Sequence, residues 1–196
     1  FSRHGADLLF LETGLGGALD ATNVLTAPLA TIITPIALDH EHFLGNDITI
    51  IAQQKAGIMR PHTPCYSAPQ SPEVTNALQS YADDICTPLF IAGRDFDISP
   101  LNYGGGCLTT NSKKTNFPKP GLVGLHQINN AGLALIALQD TKSMPPNGIA
   151  DAKWPGRLQK IDKGALKVLW PYQSIWLDGA HNKHGAIALA KTLRCI

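Results

Sequence analysis

Glu12, His40, Lys55, Asn130, Arg157, Asp178 and His181 stand at positions from which an α/β protein can do chemistry. Glu12 ends the apolar run Leu8-Leu9-Phe10-Leu11, and Gly14-Leu15-Gly16-Gly17 follows almost at once. The run 8–12 reads as a buried parallel strand, and the carboxyl end of such a strand is where open α/β sheets bind ligands. There Glu12 is a metal ligand, a base, or a solvated surface carboxylate. The glycines lack the lysine of a GxxxxGK[ST] loop, so this segment is no Walker A; a loop binding substrate through its backbone remains. Thr34-Pro35-Ile36-Ala37-Leu38-Asp39-His40 repeats the pattern, and an imidazole and a carboxylate at neighbouring strand ends can share a divalent cation such as Mg²⁺ or Mn²⁺. Lys55 closes a helical pattern just before Gly57. It either favours the helix C-terminal dipole or, held neutral, takes up carbon dioxide as a carbamate whose oxygens bind metal. Downstream, Arg157 offers a guanidinium fork suited to phosphate. Asp178, before Gly179-Ala180-His181-Asn182, suits a ribose or phosphate contact, or caps a simple turn.

The elements that must position these groups alternate. Strand-like runs at 8–12, 31–36, 65–68 and 89–92 are interleaved with helical patterns at 48–56 and 72–85. Gly57 is well placed as the C′ residue after the first helix, and Ser71-Pro72 is an N-cap followed by proline at the first helical position. This alternation predicts a mostly parallel sheet flanked by helices. Residues 96–120, with Gly104-Gly105-Gly106 and three prolines, predict a hairpin-bearing excursion. Helical periodicity returns at 126–139, and Ser143-Met144-Pro145-Pro146-Asn147-Gly148 reads as a linker. Beyond it, strands are expected at 166–170 and 175–178 and a helix at 183–193, the start of a second α/β unit.

Composition narrows the function classes. The chain has 196 residues, 44% of them hydrophobic, and a net charge of +1 without a basic block. That argues against nucleic-acid and membrane partners and for small-molecule ligands. Cys65, Cys86, Cys107 and Cys195 are scattered without a CxxC pair, as expected of reduced thiols in the cytoplasm. No apolar run has the roughly 18 residues of a membrane helix.

Taken in order, Leu11-Glu12-Thr13-Gly14-Leu15-Gly16-Gly17-Ala18-Leu19-Asp20-Ala21-Thr22-Asn23, Ile33 to His40, and Lys55-Ala56-Gly57-Ile58 resemble the folylpolyglutamate synthase and dihydrofolate synthase family of the Mur ligase superfamily. Pro120-Gly121-Leu122-Val123-Gly124-Leu125-His126-Gln127 with Asn129-Asn130-Ala131, Trp154-Pro155-Gly156-Arg157, and Leu177-Asp178-Gly179-Ala180-His181-Asn182 continue the match. The resemblance implies a Mur-ligase central ATPase domain over 1–147 and the beginning of the Rossmann-like C-terminal α/β domain over 148–196. It implies an ATP-dependent carboxylate–amine ligase that joins L-glutamate to dihydropteroate or a folate through an acyl phosphate, acting as a monomer. By matching position, Glu12 and His40 would be magnesium ligands, two ions being expected, and Lys55 the carbamoylated lysine. Leu19, Asp20, Ala21 and Thr22 match the pterin-substrate loop. Asn130, Arg157, Asp178 and His181 match the ATP contacts. Two side chains depart from the pattern: Ala18 stands where the family usually has arginine, and Lys183 where it has proline. The family's TGTNGKGS loop would lie ahead of Phe1, so the 196-residue polypeptide by itself is expected to be inactive. Another Mur-type amide ligase, or a non-catalytic nucleotide- or metal-binding remnant, are the alternatives.

Overall fold

The computed structural model describes residues 3–38, 45–139, 141 and 147–194. His40, and all of the expected linker except Asn147 and Gly148, lie outside these residues. The fold is α/β. Strands β1 (Thr31–Ile33), β2 (Cys65–Ser67) and β3 (Leu89–Ile91) form one sheet in the order β1-β2-β3. The Cys65 N–H donates to the Pro88 carbonyl and the Ala92 N–H to the Ser67 carbonyl, each at 2.9 Å. The partners advance together along both chains, so β2 and β3 run parallel.

Contacts divide the chain into two compact units, Phe1–Cys65 with Ser71–Leu89, and Tyr66–Gln70 with Phe90–Ile196. In the first, helices α1 (Ile48–Ala56) and α2 (Pro72–Asp84) pack together. Both start where side chains can satisfy the first-turn amides. Asp47 accepts from the Thr49 and Ile50 N–H groups, and Ser71 from the Val74 N–H with Pro72 at the first helical position. Ile51, Ala52 and Ala56 of α1 and Val74, Leu78 and Ala82 of α2 are buried with Ile33, Met59 and Cys65. Each large apolar side chain among them contributes about 1.5–3 kcal/mol by leaving water.

The second unit opens its 96–120 excursion into a three-stranded antiparallel meander, β4 (Asp97–Pro100), β5 (Gly106–Thr109) and β6 (Lys114–Phe117), one strand more than a hairpin. Asp97 faces Thr109 and Gly106 faces Phe117. Helix α3 (His126–Ala137) lies on this sheet, and Gly132 admits Ile98 so closely that a Cβ there would sit 2.6 Å from its side chain. The chain continues through α4 (Gly148–Asp151), β7 (Gln159–Lys160), α5 (Ala165–Leu169), β8 (Trp176–Leu177) and α6 (Lys183–Leu193), with β7 and β8 paired antiparallel. Among the described residues, no helix is long and apolar enough to cross a membrane.

Two expected strands are absent. Residues 8–12 are irregular, with Leu8, Leu9, Phe10 and Leu11 all exposed, Phe10 to 73%. Among the described residues no strand pairs with this run, and an apolar strand without neighbours has neither ladder bonds nor a surface to cover it. Residues 166–170 fall largely in α5 rather than in a strand. Their backbone is satisfied locally, the Val168 N–H donating to Gly164 and the Trp170 N–H to Leu166, while Leu166, Val168 and Leu169 stay exposed. A short apolar run fits either element, and without a partner strand the helix wins.

Candidate functional site

The first cluster is built on the carboxyl end of α1. The glycine loop 14–23 folds onto it through the Ala18 N–H, which donates to the Gln54 carbonyl at 2.9 Å. Two glycines make that approach fit. A Cβ on Gly17 would lie 2.6 Å from the Gln54 carbonyl oxygen and 3.0 Å from that of Lys55; one on Gly57 would lie 2.3 Å from the Ala18 Cβ. Gly57 ends α1 as its C-cap, one place before the expected C′, with a right-handed φ of −59°, and closeness to the loop is what excludes a side chain.

Within the loop, Asp20 is the hub. Its Oδ2 accepts from the Gly14 and Leu15 N–H groups at 3.0 and 2.9 Å; its Oδ1 accepts from the Thr22 N–H at 2.9 Å and the Thr22 hydroxyl at 2.6 Å. Both carboxylate oxygens and the Thr22 hydroxyl are thus spent on loop geometry, while Leu19 is completely exposed at the loop tip. The Thr22 hydroxyl first, then the Leu15 and Thr22 amides, hold the Asp20 carboxyl well below the usual carboxylate range. A depressed carboxyl stabilises the fold above its unfolded value near about 4, and that contribution is lost as pH falls towards the folded value. The expected result is a loop that keeps its structure from neutrality to about pH 4 and loosens only below it. An NMR titration of the Thr22 amide checks this; a midpoint at the ordinary aspartate value contradicts it.

Lys55 is half-buried in the last turn of α1, and Glu12 is exposed. Among the described residues, no three His, Cys, Asp or Glu side chains gather as a metal cluster. The donor chemistry nevertheless suits magnesium, which takes one or two carboxylates and keeps waters and substrate phosphates as its other ligands. Glu12 is such a carboxylate. Lys55 as an ammonium repels a cation, whereas as a carbamate it presents carboxylate oxygens.

The second cluster lies in the second unit. Gly156, with φ +73°, and Leu158, with φ +44°, turn the chain sharply on either side of Arg157. Asp178 fastens the turn: its Oδ2 accepts from the Leu158 N–H at 2.7 Å and its Oδ1 from the Ala180 N–H at 2.8 Å, while the Gly179 N–H donates to the Gly156 carbonyl at 2.8 Å. His181 follows, exposed, with Nδ1 3.0 Å from the Gly179 carbonyl oxygen. The cap of α6 is not Asp178 but Asn182, which accepts from the Gly185 N–H at 2.7 Å. Arg157 lines an open cleft of about 370 Å³ between the 121–123 segment and Trp154, Pro155 and Trp176.

His126 begins the helix that carries Asn130, and sequence reasoning passed over it. Its Nε2 lies 3.0 Å from Gln127 Nε2, and the Asn130 amide donates to Gln127 Oε1 at 3.0 Å. Partial burial pushes the imidazole below its usual range; Asp178 opposes this, and Arg157 and His184 add to it. Gly124 adopts φ +134°, and a Cβ there would lie 2.5 Å from the His126 ring. The clue was available: His126 and Asn130 are one helical turn apart, on one face of α3. Gln127 thus bridges Asn130 and His126, and the charges of Arg157 and Asp178 act on the same imidazole.

No family profile matches the chain. It is 36% identical over 200 residues to a probable dihydrofolate synthetase of Schizosaccharomyces pombe, and 33% identical over 204 residues to a dihydrofolate synthase/folylpolyglutamate synthase of Bacillus subtilis, each time over 97% of its length. The chain matches a segment of the dihydrofolate synthase/folylpolyglutamate synthase family. It spans about half the length of these curated relatives, 46% and 45%. The same family supplies the structural likeness: the E. coli FolC in complex with DHPP and ADP superposes with a TM-score of 0.78 at 30% identity, covering 94% of this chain and 42% of that one.

Proposed function

We propose that this chain is part of an ATP-dependent ligase that joins L-glutamate to dihydropteroate or a reduced folate. The observation that carries the reading is the likeness to family members along almost the whole chain, at 36% and 33% identity. In this reading residues 1–147 belong to the ATPase domain and 148–196 begin the C-terminal domain. The enzyme is a monomer acting on small molecules, without nucleic-acid or membrane partners. Free thiols at Cys65, Cys86 and Cys107 suit a reducing compartment, and we place the protein in the cytoplasm.

The reaction follows from ordinary acyl chemistry. A carboxylate of the pteroate or folate substrate attacks the γ-phosphorus of ATP and releases ADP, giving an acyl phosphate. The glutamate amine adds to that carbonyl, and inorganic phosphate leaves with one of the original carboxylate oxygens as the amide forms. Catalysis of this kind is mostly positioning and charge neutralisation. Leu19, Asp20, Ala21 and Thr22 form the edge that receives the pterin-bearing substrate, Asp20 by holding the loop in shape. Asn130, Arg157, Asp178 and His181 serve ATP: Arg157 clamps phosphate, and Asp178 orients Arg157 by fixing the turn on which it stands. Glu12, His40 and carbamoylated Lys55 would hold two magnesium ions, whose charge offsets that of the phosphates when they are bound. The test is glutamate-dependent phosphate release by the full-length protein with dihydropteroate and then with tetrahydrofolate. Release with either supports the reading, and failure with both removes it.

A further inference from the structure

Arg60 lies just beyond α1, outside every motif that pointed to chemistry, yet its guanidinium donates five hydrogen bonds. Nε donates to the Leu25 carbonyl at 2.9 Å; Nη1 donates to the carbonyls of Gly57 and Met59 at 3.1 and 2.8 Å; Nη2 donates to the Asn23 carbonyl and side-chain Oδ1 at 3.2 and 2.6 Å. Asn23 completes the knot from the other side, its Nδ2 donating to the carbonyls of Ala18 and Gly57, both at 3.0 Å. The Arg60 carbonyl is itself held by the Thr87 hydroxyl at 2.8 Å. Two stretches of backbone, 18–25 from the loop and 57–59 from the helix end, thus present their carbonyls to one planar fork and one amide. Arginine suits this position because its donors point along fixed directions in a plane, whereas lysine offers a single ammonium.

We infer that Arg60, with Asn23, is a positioning residue: it locks the 14–23 loop to the end of the helix that carries Lys55 and so fixes the distance between the pterin-receiving edge and the lysine. The lock itself stands on this geometry. Its consequence for catalysis rests on the reading of residues 19–22 as the substrate loop. Arg60 touches no reacting atom, so its removal acts through the loop. In the full-length protein, Arg60→Ala is expected to speed amide hydrogen exchange at Ala18 and Asn23 by about tenfold or more. It is also expected to raise the KM for dihydropteroate or tetrahydrofolate by about tenfold, with the KM for ATP unchanged. Arg60→Lys recovers only part of both effects. Asn23→Ala, which leaves the guanidinium its carbonyl acceptors, shows the same pattern in milder form and serves if Arg60→Ala does not fold. Unchanged exchange at Ala18 and Asn23 overturns the lock, whatever the enzyme does. Faster exchange with an unmoved folate KM overturns the substrate role of the loop, and a parallel rise in both KM values reduces Arg60 to general stability.

Discussion

Lys55→Ala is expected to lower glutamate-dependent turnover of the full-length protein by on the order of 10²–10³-fold, the scale of losing one preorganised charge-stabilising group. Alanine is the best helix former, and Lys55 is only half-buried, so α1 survives the change and the unfolding temperature moves little. Short carboxylic acids such as formate or acetate are expected to restore part of the activity, because a free carboxylate can occupy the place of the carbamate. Lys55→Arg separates the two readings of this residue. Arginine keeps the positive charge at the helix end but forms no carbamate at neutral pH. A role confined to the helix dipole predicts near-normal activity for Lys55→Arg, whereas a carbamate predicts a loss as deep as in Lys55→Ala.

Asp178→Ala is expected to remove about 2–4 kcal/mol of stability from the second unit, since two backbone N–H groups lose a charged acceptor. One of them belongs to Leu158, which is buried at 4% exposure and held at positive φ, so the turn carrying Arg157 opens when its anchor goes. Two consequences follow besides the lower unfolding temperature. The KM for ATP rises, and the His126 imidazole titrates still lower, because the anion that opposes its depression is gone. Asp178→Asn keeps one oxygen acceptor and is expected to retain part of the stability. Thermal unfolding together with a His126 NMR titration checks the set, and an unmoved His126 would break the proposed connection between α3 and the Asp178 turn.

Elements that carry their own punctuation were legible from the residues alone. Helix α1 runs over Ile48–Ala56 as its pattern suggests, and α2 begins at the cap Ser71 and Pro72. Elements that depend on partners were not. The run 8–12 is as apolar as a core strand, but a strand is defined by what pairs with it, and residues 166–170 satisfy their backbone as a helix for the same reason. The site shows a similar division. The order of Glu12, Lys55, Asn130, Arg157 and Asp178 along the chain was readable. The inward use of Asp20 and the reach of Arg60 back to Asn23 are contacts across 5 and 37 residues, and the charge of Asp178 acts on His126 across 52, none of which a local pattern encodes.

In the proposed reaction a substrate carboxylate is activated as an acyl phosphate and then captured by glutamate. The most direct measurement supplies the full-length protein with ATP, glutamate and dihydropteroate labelled with ¹⁸O in the reacting carboxylate, and reads the phosphate released by mass spectrometry. The expected result is glutamate-dependent phosphate in which each molecule carries one oxygen from the labelled carboxylate, in step with amide formation. Unlabelled phosphate, or phosphate released at the same rate without glutamate, contradicts it.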